Sequence, residues 1–332
     1  MQSILKHFWF SILVTVVGLV ALFFYGGTAA LFIACLLILL EITLSFDNAV
    51  VNARVLQKMT PAWQQRFLTW GILIAVFGTR FVLPIAIVSI VTWASPWVIT
   101  QMALFDPAQY GHLLEGAKHA IHAFGASFLL LVALKYFLDT KKELHWIQVV
   151  EEHLAKWGRI EALEIVIALL AVTGIAFLVP HEEQGTVMIA GVFGIVLFIV
   201  MQGITSAFSI EAKETASHSL ALFMYLEVLD ASFSLDGVIG AFALTSSIPI
   251  IAVGLGIGAF FVRSLTIYMV KEKTLDTLKY LEHGAHWAIF GLAISMLVSM
   301  LTEVPEAVTG TIGVIFVIAA YYSSLGKKKK TS

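Results

Sequence analysis

The sequence predicts an all-α polytopic membrane protein of about ten transmembrane helices, containing an inverted-topology repeat of two three-helix units. Three observations predict this fold. The 332 residues are 59% hydrophobic and 13% charged, with a mean hydropathy of +0.93, which excludes an ordinary soluble domain and a disordered chain. Apolar stretches of spanning length recur along the whole chain. The third observation, an acidic motif that occurs twice, predicts the repeat.

The apolar stretches place the spans near 8–25, 29–55, 67–94, 116–138, 161–179, 186–204, 217–246, 248–270, 280–301 and 304–325. They divide the chain into an N-terminal transmembrane helix (1–28), a first three-helix repeat (29–138), a cytoplasmic loop with a linking helix pair (139–216), a second, inverted three-helix repeat (217–301) and a last transmembrane helix with a cytoplasmic lysine tail (302–332). We interpret the first span as retained, because its apolar run exceeds a usual signal-peptide core. The second and seventh spans are longer than a bilayer needs, which indicates helices that tilt or break.

The basic residues predict the orientation of the chain. All but three of the 20 lysines and arginines fall in segments that lie inside if the N-terminus is cytoplasmic, as the positive-inside rule requires. The exceptions are Lys118, in an outside loop, and Arg80 and Arg263, within spans. We therefore expect a multi-pass protein of the cytoplasmic (inner) membrane with both termini in the cytoplasm and Lys327–Lys330 as a topology anchor.

The acidic motif occurs once in each half of the chain. Glu41-Ile-Thr-Leu-Ser-Phe-Asp47-Asn48 aligns with Asp230-Ala-Ser-Phe-Ser-Leu-Asp236-Gly237. The helices that follow also correspond, since Arg80 and Arg263 lie in the next spans and His119-x-x-His122 and His283-x-x-His286 open the third spans. The two motif helices cross the membrane in opposite directions. An inverted repeat with a site near the midplane is a transporter architecture.

Helical spacing puts Glu41, Ser45 and Asn48 on one face. It likewise puts Asp230, Ser234 and Gly237 on one face, joined by Glu227 three residues earlier. Asp47 and Asp236 point about 120° away from the leading acids in a straight helix. Either each acid serves a different helix contact, or the helix opens near Asp47-Asn48 and Asp236-Gly237, which are turn-forming dipeptides. Carboxylate, amide, hydroxyl and carbonyl oxygens are hard donors, which suit Mg²⁺, Ca²⁺ or Mn²⁺.

Structural roles are open for the same residues. The acids could form a satisfied buried network with Arg80 and Arg263, but intramembrane acids usually mark transport pathways. For the two arginines, a counter-ion role is favoured over binding of an anionic substrate. For His122 and His286, a neutral, hydrogen-bonded histidine near the interface is favoured over metal ligation.

The first motif, Glu41-x5-Asp47-Asn48-Ala49-Val50, resembles the signature of the TerC integral membrane family, and Ser-x-Asp236 resembles that family's second acidic motif. The resemblance covers residues 29–137 and 217–322. In the second half, Gly237-Val238-Ile239-Gly240 replaces the family's usual Ser and nearby Pro, and the extra central spans indicate a divergent branch. The resemblance implies a LysE-like transporter superfamily fold and a role in metal-ion homeostasis. Manganese export is the best-argued activity of such relatives, and tellurite resistance is the historical label.

We therefore expect a transporter that exports a divalent cation, with Mn²⁺ as transported substrate rather than resident cofactor, and proton exchange as driving force. By position, Glu41, Asp47, Asn48, Asp230 and Asp236 would line the cation site, with Ser45, Ser234, Glu227, Arg80, Arg263, His122 and His286 as accessory residues. The expected partners are the bilayer and the cation. Nucleic acid is not expected, and homo-oligomerisation is open.

Two other classes of function are open. A LysE-like exporter of a small organic solute would use the arginines for substrate and show no metal-dependent stabilisation. A non-transporting scaffold of a metal or tellurite stress response would tolerate loss of the acids. An enzyme is not expected, because no HExxH, GxSxG or other nucleophile-and-base arrangement occurs in the sequence.

Overall fold

A computed structural model describes residues 2–211 and 216–328. Within these residues the chain is helical and contains no strand, as the sequence predicts. The helices are α1 (Gln2–Leu44), α2 (Phe46–Leu56), α3 (Pro61–Leu73), a π-helical segment (Ile74–Val82), α4 (Leu83–Thr92), α5 (Pro96–Phe105), α6 (Pro107–Gly116), α7 (Lys118–Phe137), α8 (Gln148–Trp157), α9 (Leu163–Leu178), α10 (His181–Glu211), α11 (Ala216–Leu244), α12 (Ile248–Lys271), α13 (Thr274–Thr277), α14 (Leu281–Ser299) and α15 (Glu306–Lys328).

The chain is a multi-pass α-helical membrane protein. In the part of the chain that the structure describes, seven helical stretches are long and apolar enough to cross a membrane. The other predicted spans correspond to the second part of a broken α1, to the shorter apolar helix α9 and to α11, which carries three acids. Large apolar side chains cover the outside of the bundle, Phe24, Trp93 and Phe105 being more than 80% exposed. Lipid tails cover such a surface in a membrane.

The long helix α1 is two antiparallel helices joined at Gly26-Gly27. Gly27 has a φ of 65°, a left-handed conformation that glycine adopts without steric cost. Contacts with α12 follow in the order Ser11 with Ser264, Gly18 with Val253, Leu37 with Gly254 and Glu41 with Gly258. The first part of α1 thus runs against α12 and the second part runs along it, in agreement with two separate spans near 8–25 and 29–55.

The second acidic motif lies antiparallel to the first. The backbone N–H of Thr60 donates to Ser219 Oγ (3.0 Å), and Asn48 Nδ2 donates to Asp230 Oδ1 (2.7 Å). Farther along, α11 meets the first motif again, where a Cβ on Gly237 would lie 3.4 Å from Glu41 Oε2. Residue numbers rise along one segment as they fall along the other. The two motifs therefore traverse the bundle in opposite directions, as an inverted repeat requires.

Three details differ from the sequence-based expectation. The chain between α1 and α2 departs from helical geometry at Ser45 (φ −104°, ψ 11°), before Asp47-Asn48, although the backbone hydrogen bonds from Ser45 to Glu41 and from Ala49 to Ser45 are kept. Of the two alternatives at Asp236-Gly237, the structure has the separate helix contact and not the opening, because α11 is continuous there and Asp236 reaches His122 from an intact helix. The loop after the third span contains α5 and α6. Lys213 and the Lys329–Lys330 end of the lysine tail lie outside the described residues.

Candidate cation site

The residues of the two acidic motifs are buried inside the helical bundle. Glu41, Asp47, Asn48, Asp230 and Asp236 are between 1 and 7% exposed. The apolar residues of both motifs keep the helices packed, while the polar side chains project inward because they recur at helical spacing. Burying a carboxylate in apolar surroundings costs several kcal/mol, roughly, unless it is paired or binds a cation. The structure pairs most of these carboxylates, in three separate groups.

The first group joins the two halves of the chain. Asn48, on α2, donates from Nδ2 to Asp230 Oδ1, on α11, at 2.7 Å. Arg263, on α12, lies 3.4 Å from Glu227 Oε1 and 3.9 Å from Asp230 Oδ2. The same guanidinium donates to the Phe67 carbonyl oxygen (3.1 Å) and stacks 3.7 Å from the Phe67 ring centroid. Arg263 is therefore a counter-ion of the second acidic motif, as the sequence favours.

The second group surrounds the leading acid of the first motif. Ser45 Oγ donates to Glu41 Oε1 at 2.9 Å, and Arg80 Nη2 forms a short, fully buried salt bridge with the same oxygen. Arg80 lies in the π-helical segment Ile74–Val82, where it also donates to the Ala75 carbonyl oxygen. A π-helical turn widens the helix locally and often occurs at functional sites. Each half of the chain thus pairs its leading acid with the arginine of the following span.

The third group contains the second acid of each motif, Asp47 and Asp236, here called the trailing acids. His122 Nε2, on α7, lies 3.1 Å from Asp236 Oδ1, so the third span of the first repeat supplies the partner of an acid in the second. Asp47 Oδ1 accepts the backbone N–H of Asn48 at 3.0 Å. Among the described residues, no cationic side chain lies within salt-bridge distance of Asp47. The two trailing acids therefore have different environments.

The structure does not bring all the predicted residues together. His286 stacks on Tyr136, with ring centroids 3.6 Å apart, and its Nδ1 donates to the Glu282 carbonyl oxygen. It is a packed, hydrogen-bonded histidine away from the acids. Within the described residues, no three or more His, Cys, Asp or Glu side chains have the spacing to hold a metal ion. The acids form separate pairs and do not converge on one point.

Several buried oxygens in these groups have no hydrogen-bond partner. Asn48 Oδ1, Asn52 Oδ1, Glu227 Oε2, Asp230 Oδ2 and Ser234 Oγ all belong to this set. Buried polar atoms are almost always satisfied, so each orphan calls for an explanation such as a ligand. Their chemistry, with amide, carboxylate and hydroxyl oxygens, fits a hard divalent cation. Asn52, one turn after Asn48 on the same helix face, is a residue that the motif comparison missed although its spacing could have indicated it.

The sequence analysis also missed a buried carboxylate outside the motifs. Glu151, on the amphipathic helix α8, is fully buried and accepts from His283 Nδ1 (2.8 Å) and Trp287 Nε1 (3.0 Å), and it forms an ion pair with Lys142 Nζ at 3.0 Å. Burial disfavours its charged form, but the hydrogen bonds from His283 and Trp287 and the charge of Lys142 hold the Glu151 pKa well below its usual range. This contact fastens α8 to the start of α14.

Comparison with known proteins gives a single family. The model of a family described as "Protein of unknown function (DUF475)" matches residues 46–331, which include both trailing acids. No curated protein and no solved structure matches the chain.

Proposed function

The chain belongs to the DUF475 family of proteins of unknown function, and we propose that it is a membrane transporter that exports a divalent metal cation, with Mn²⁺ as substrate. The proposed site lies between the two acidic motifs. Glu41, Asp47 and Asn48 from one half and Asp230 and Asp236 from the other would supply its ligands. Because these acids lie in separate pairs in the structure, binding of the cation requires the motif helices to move together.

One observation carries this proposal, the direct contact of the two motifs deep in the bundle. Asn48 bonds Asp230 across the antiparallel segments, and the remaining oxygens of both residues are buried without a hydrogen bond. The structural contacts leave Asn48 Oδ1 without a partner and give Asp230 Oδ2 only the 3.9 Å ion pair with Arg263, and each unsatisfied polar group costs about 1–3 kcal/mol. A hard cation binds such oxygens, and intramembrane carboxylates usually mark an ion pathway.

The two arginines are counter-ions that a bound cation could displace. Arg80 and Arg263 each neutralise a carboxylate of one motif. A divalent cation that binds Glu41 or Asp230 competes with the guanidinium for the same oxygens. Each acid and its arginine lie on different helices of the same repeat, so this competition links cation binding to movement of helices within a repeat. The contacts Asn48–Asp230 and His122–Asp236 join the two repeats, and their exchange for a cation would move one repeat against the other, as in inverted-repeat transporters.

The resemblance to the TerC family supports export and the choice of Mn²⁺. The distribution of lysine and arginine supports an inner-membrane orientation with both termini in the cytoplasm. Carboxylates must lose protons to bind a cation, so exchange against protons is the proposed driving force.

A second candidate, a non-transporting membrane scaffold, is favoured by one observation. Three of the acids already have a cationic or titratable partner, namely Arg80, Arg263 and His122. A satisfied network of this kind holds helices together without any substrate. The two functions differ in what happens when an acid is neutralised, because a scaffold keeps its role in the cell and a transporter loses flux.

Flux of Mn²⁺ in proteoliposomes tests the proposal. We expect saturable Mn²⁺ movement by the wild-type protein, abolished by Asp47→Asn and by Asp236→Asn. Glu303→Gln, a change of an exposed acid outside the motifs, serves as the matched control and is expected to retain full flux. Folded wild-type protein that moves no Mn²⁺ would sink the proposal, and flux of an organic solute without metal would favour the LysE-like alternative.

A further inference from the structure

Two cavities open at opposite ends of the bundle. A cavity of about 320 Å³ lies at the end where α2 and α7 finish and α14 begins, here called the basic end, and its lining includes Val51, Arg54, Tyr136 and His286. A cavity of about 390 Å³ lies at the other end, called the opposite end, between α6, the start of α7 and the end of α11. Its lining includes His112, Glu115, Lys118, Ile239 and Ala243.

The cavity at the basic end lies farther along α2 than Asp47, the trailing acid of the first motif. Val51 and Arg54 follow Asp47 by four and seven residues on α2, so they continue the face of the helix that carries Asp47. At 1.5 Å per residue, Val51 lies about 6 Å along the helix axis from Asp47. Val55 follows Asn48 by seven residues and continues the face of the helix that carries Asn48. This cavity therefore leads toward Asp47 and Asn48.

The cavity at the opposite end has the same relation to the second motif. Ile239 and Ala243 follow Asp236 by three and seven residues on α11 and continue its face. On α7, Lys118 precedes His122, the partner of Asp236, by one turn. The second cavity therefore leads toward the His122–Asp236 pair, and the inverted repeat gives each trailing acid a cavity at its own end of the bundle.

The charges that line the cavities do not bar a cation. At the basic end, Arg54 pairs with Glu282 and Lys135 pairs with Glu164, both at 3.1 Å. Lys58 and Asp139 add one charge of each sign to the same lining. At the opposite end Lys118 and Glu115 are of opposite sign. Polar and charged groups at the depth of a membrane are tolerated where they line a water-filled cavity.

We propose that the two cavities are the water-filled vestibules of the cation site, the basic-end cavity giving access to Asp47 and Asn48 and the opposite-end cavity giving access to Asp236. This inference rests on the proposed function for its substrate, a divalent cation, but the sidedness of access is a separate property. Each trailing acid exchanges its proton or cation with the solution on its own side of the membrane.

Thiol labelling measures this sidedness without any transport assay. Cys35 is the single cysteine of the sequence, so Cys35→Ser gives a background for single-cysteine variants. Val55→Cys and Ala243→Cys place a thiol in each cavity, at positions that are more exposed than Val51 and Ile239. The variants are treated in sealed vesicles of both orientations with a charged, membrane-impermeant methanethiosulfonate. Glu152→Cys on α8 and Gln109→Cys on α6, both exposed, report which face of the membrane the reagent reaches.

Buried neighbours provide matched controls. Val50→Cys lies beside Val51 and Leu235→Cys precedes Asp236, and neither residue lines a cavity. Val51→Cys and Ile239→Cys, which are buried but belong to the same linings, are second cavity positions for use if a first variant fails to fold. Gel filtration and the normal labelling of the side markers establish folding.

We expect Val55→Cys to react at least about tenfold faster than Val50→Cys, and only from the face that labels Glu152→Cys, because buried thiols are inert. Ala243→Cys should react faster than Leu235→Cys, and only from the face that labels Gln109→Cys. The vestibule proposal is overturned if either cavity thiol is labelled from the opposite face of the membrane, or if it is labelled no faster than its buried control. If each cavity thiol is labelled from its expected face but no Mn²⁺ flux is measured, the vestibules stand and Mn²⁺ is rejected as the substrate. If Mn²⁺ flux is measured but the labelling is not restricted to one face, the transport proposal stands and the vestibules are rejected.

Discussion

Asn48 Nδ2 donates a 2.7 Å hydrogen bond to Asp230 Oδ1, and this bond joins the two halves of the chain across antiparallel helices. The alignment of the two motifs predicts a corresponding pair of residues elsewhere in the bundle. Gly237 occupies the position of Asn48 in the second motif, and Glu41 occupies the position of Asp230 in the first. Gly237 faces Glu41, but it has no side chain to donate. Glu41 is satisfied by Ser45 and Arg80 instead.

The Asn48–Asp230 bond should show as a coupling energy. We expect the double-mutant cycle of Asn48→Ala and Asp230→Ala to give a coupling of about 0.6–2 kcal/mol, the range for hydrogen bonds between membrane helices. The measurement is the free energy of unfolding in mixed micelles for the wild type, both single variants and the double variant. A coupling indistinguishable from zero would mean that the bond does not hold the repeats together.

The Glu41–Arg80 salt bridge should be costly to break from one side. Arg80→Gln leaves a buried carboxylate without its cation, and removal of one partner of a buried pair costs about 3–5 kcal/mol. The double variant Glu41→Gln/Arg80→Gln removes both charges and should regain most of that loss. Thermal unfolding of the purified variants compares them. A double variant less stable than Arg80→Gln alone would contradict a paired role.

Two glycines beside Glu41 should respond differently to alanine. A Cβ on Gly258 would lie 2.5 Å from both Cβ and Cγ of Glu41, whereas a Cβ on Gly237 would lie 3.4 Å from Glu41 Oε2, an ordinary contact. Gly258→Ala should therefore destabilise the protein by about 1–3 kcal/mol through overpacking. Gly237→Ala is the matched control on the other side of the same carboxylate and should unfold near the wild-type temperature. Equal losses in both variants would argue against the close approach of α1 and α12.

Glu151 should make part of the stability depend on pH. Its pKa is held below the usual value in the folded protein, so its stabilising effect is complete above the unfolded pKa of about 4.3 and is lost as the pH falls toward the folded pKa. Glu151→Gln removes this dependence, and the stability of the variant should fall less steeply than that of the wild type below about pH 4.3. Glu152→Gln, an exposed neighbour, is the control. Parallel pH profiles for the wild type and Glu151→Gln would refute the prediction.

Hydropathy and motif comparison predicted much of the fold. They placed helices at the predicted spans, the break between 8–25 and 29–55 and the opposite directions of the two motif helices, because the bilayer sets the length of a span and the repeat sets the direction of its helices. They placed no helix in 95–115, where α5 and α6 are each ten residues long. Helices of this length do not reach across a membrane, so a search for spans passes over them.

The partners of the site residues were less predictable than the residues themselves. Helical spacing indicated the Ser45–Glu41 contact, which is local. It could not indicate that His122 meets Asp236 or that Asn48 meets Asp230, because those contacts depend on how distant helices pack. The His286 side chain, which corresponds to His122 in the repeat, instead stacks on Tyr136. An inverted repeat in sequence therefore does not impose equal contacts on its two halves.

The stoichiometry of Mn²⁺ bound to the purified protein tests the shared site most directly. Equilibrium dialysis of the wild type beside Asp47→Asn, Asp230→Asn and the control Glu303→Gln measures it. We predict one Mn²⁺ per chain in the wild type and in the control, with binding lost in each of the two motif variants, because ligands from both halves hold the same ion. Retained binding in both motif variants, or two ions lost independently, would contradict a single site between the repeats.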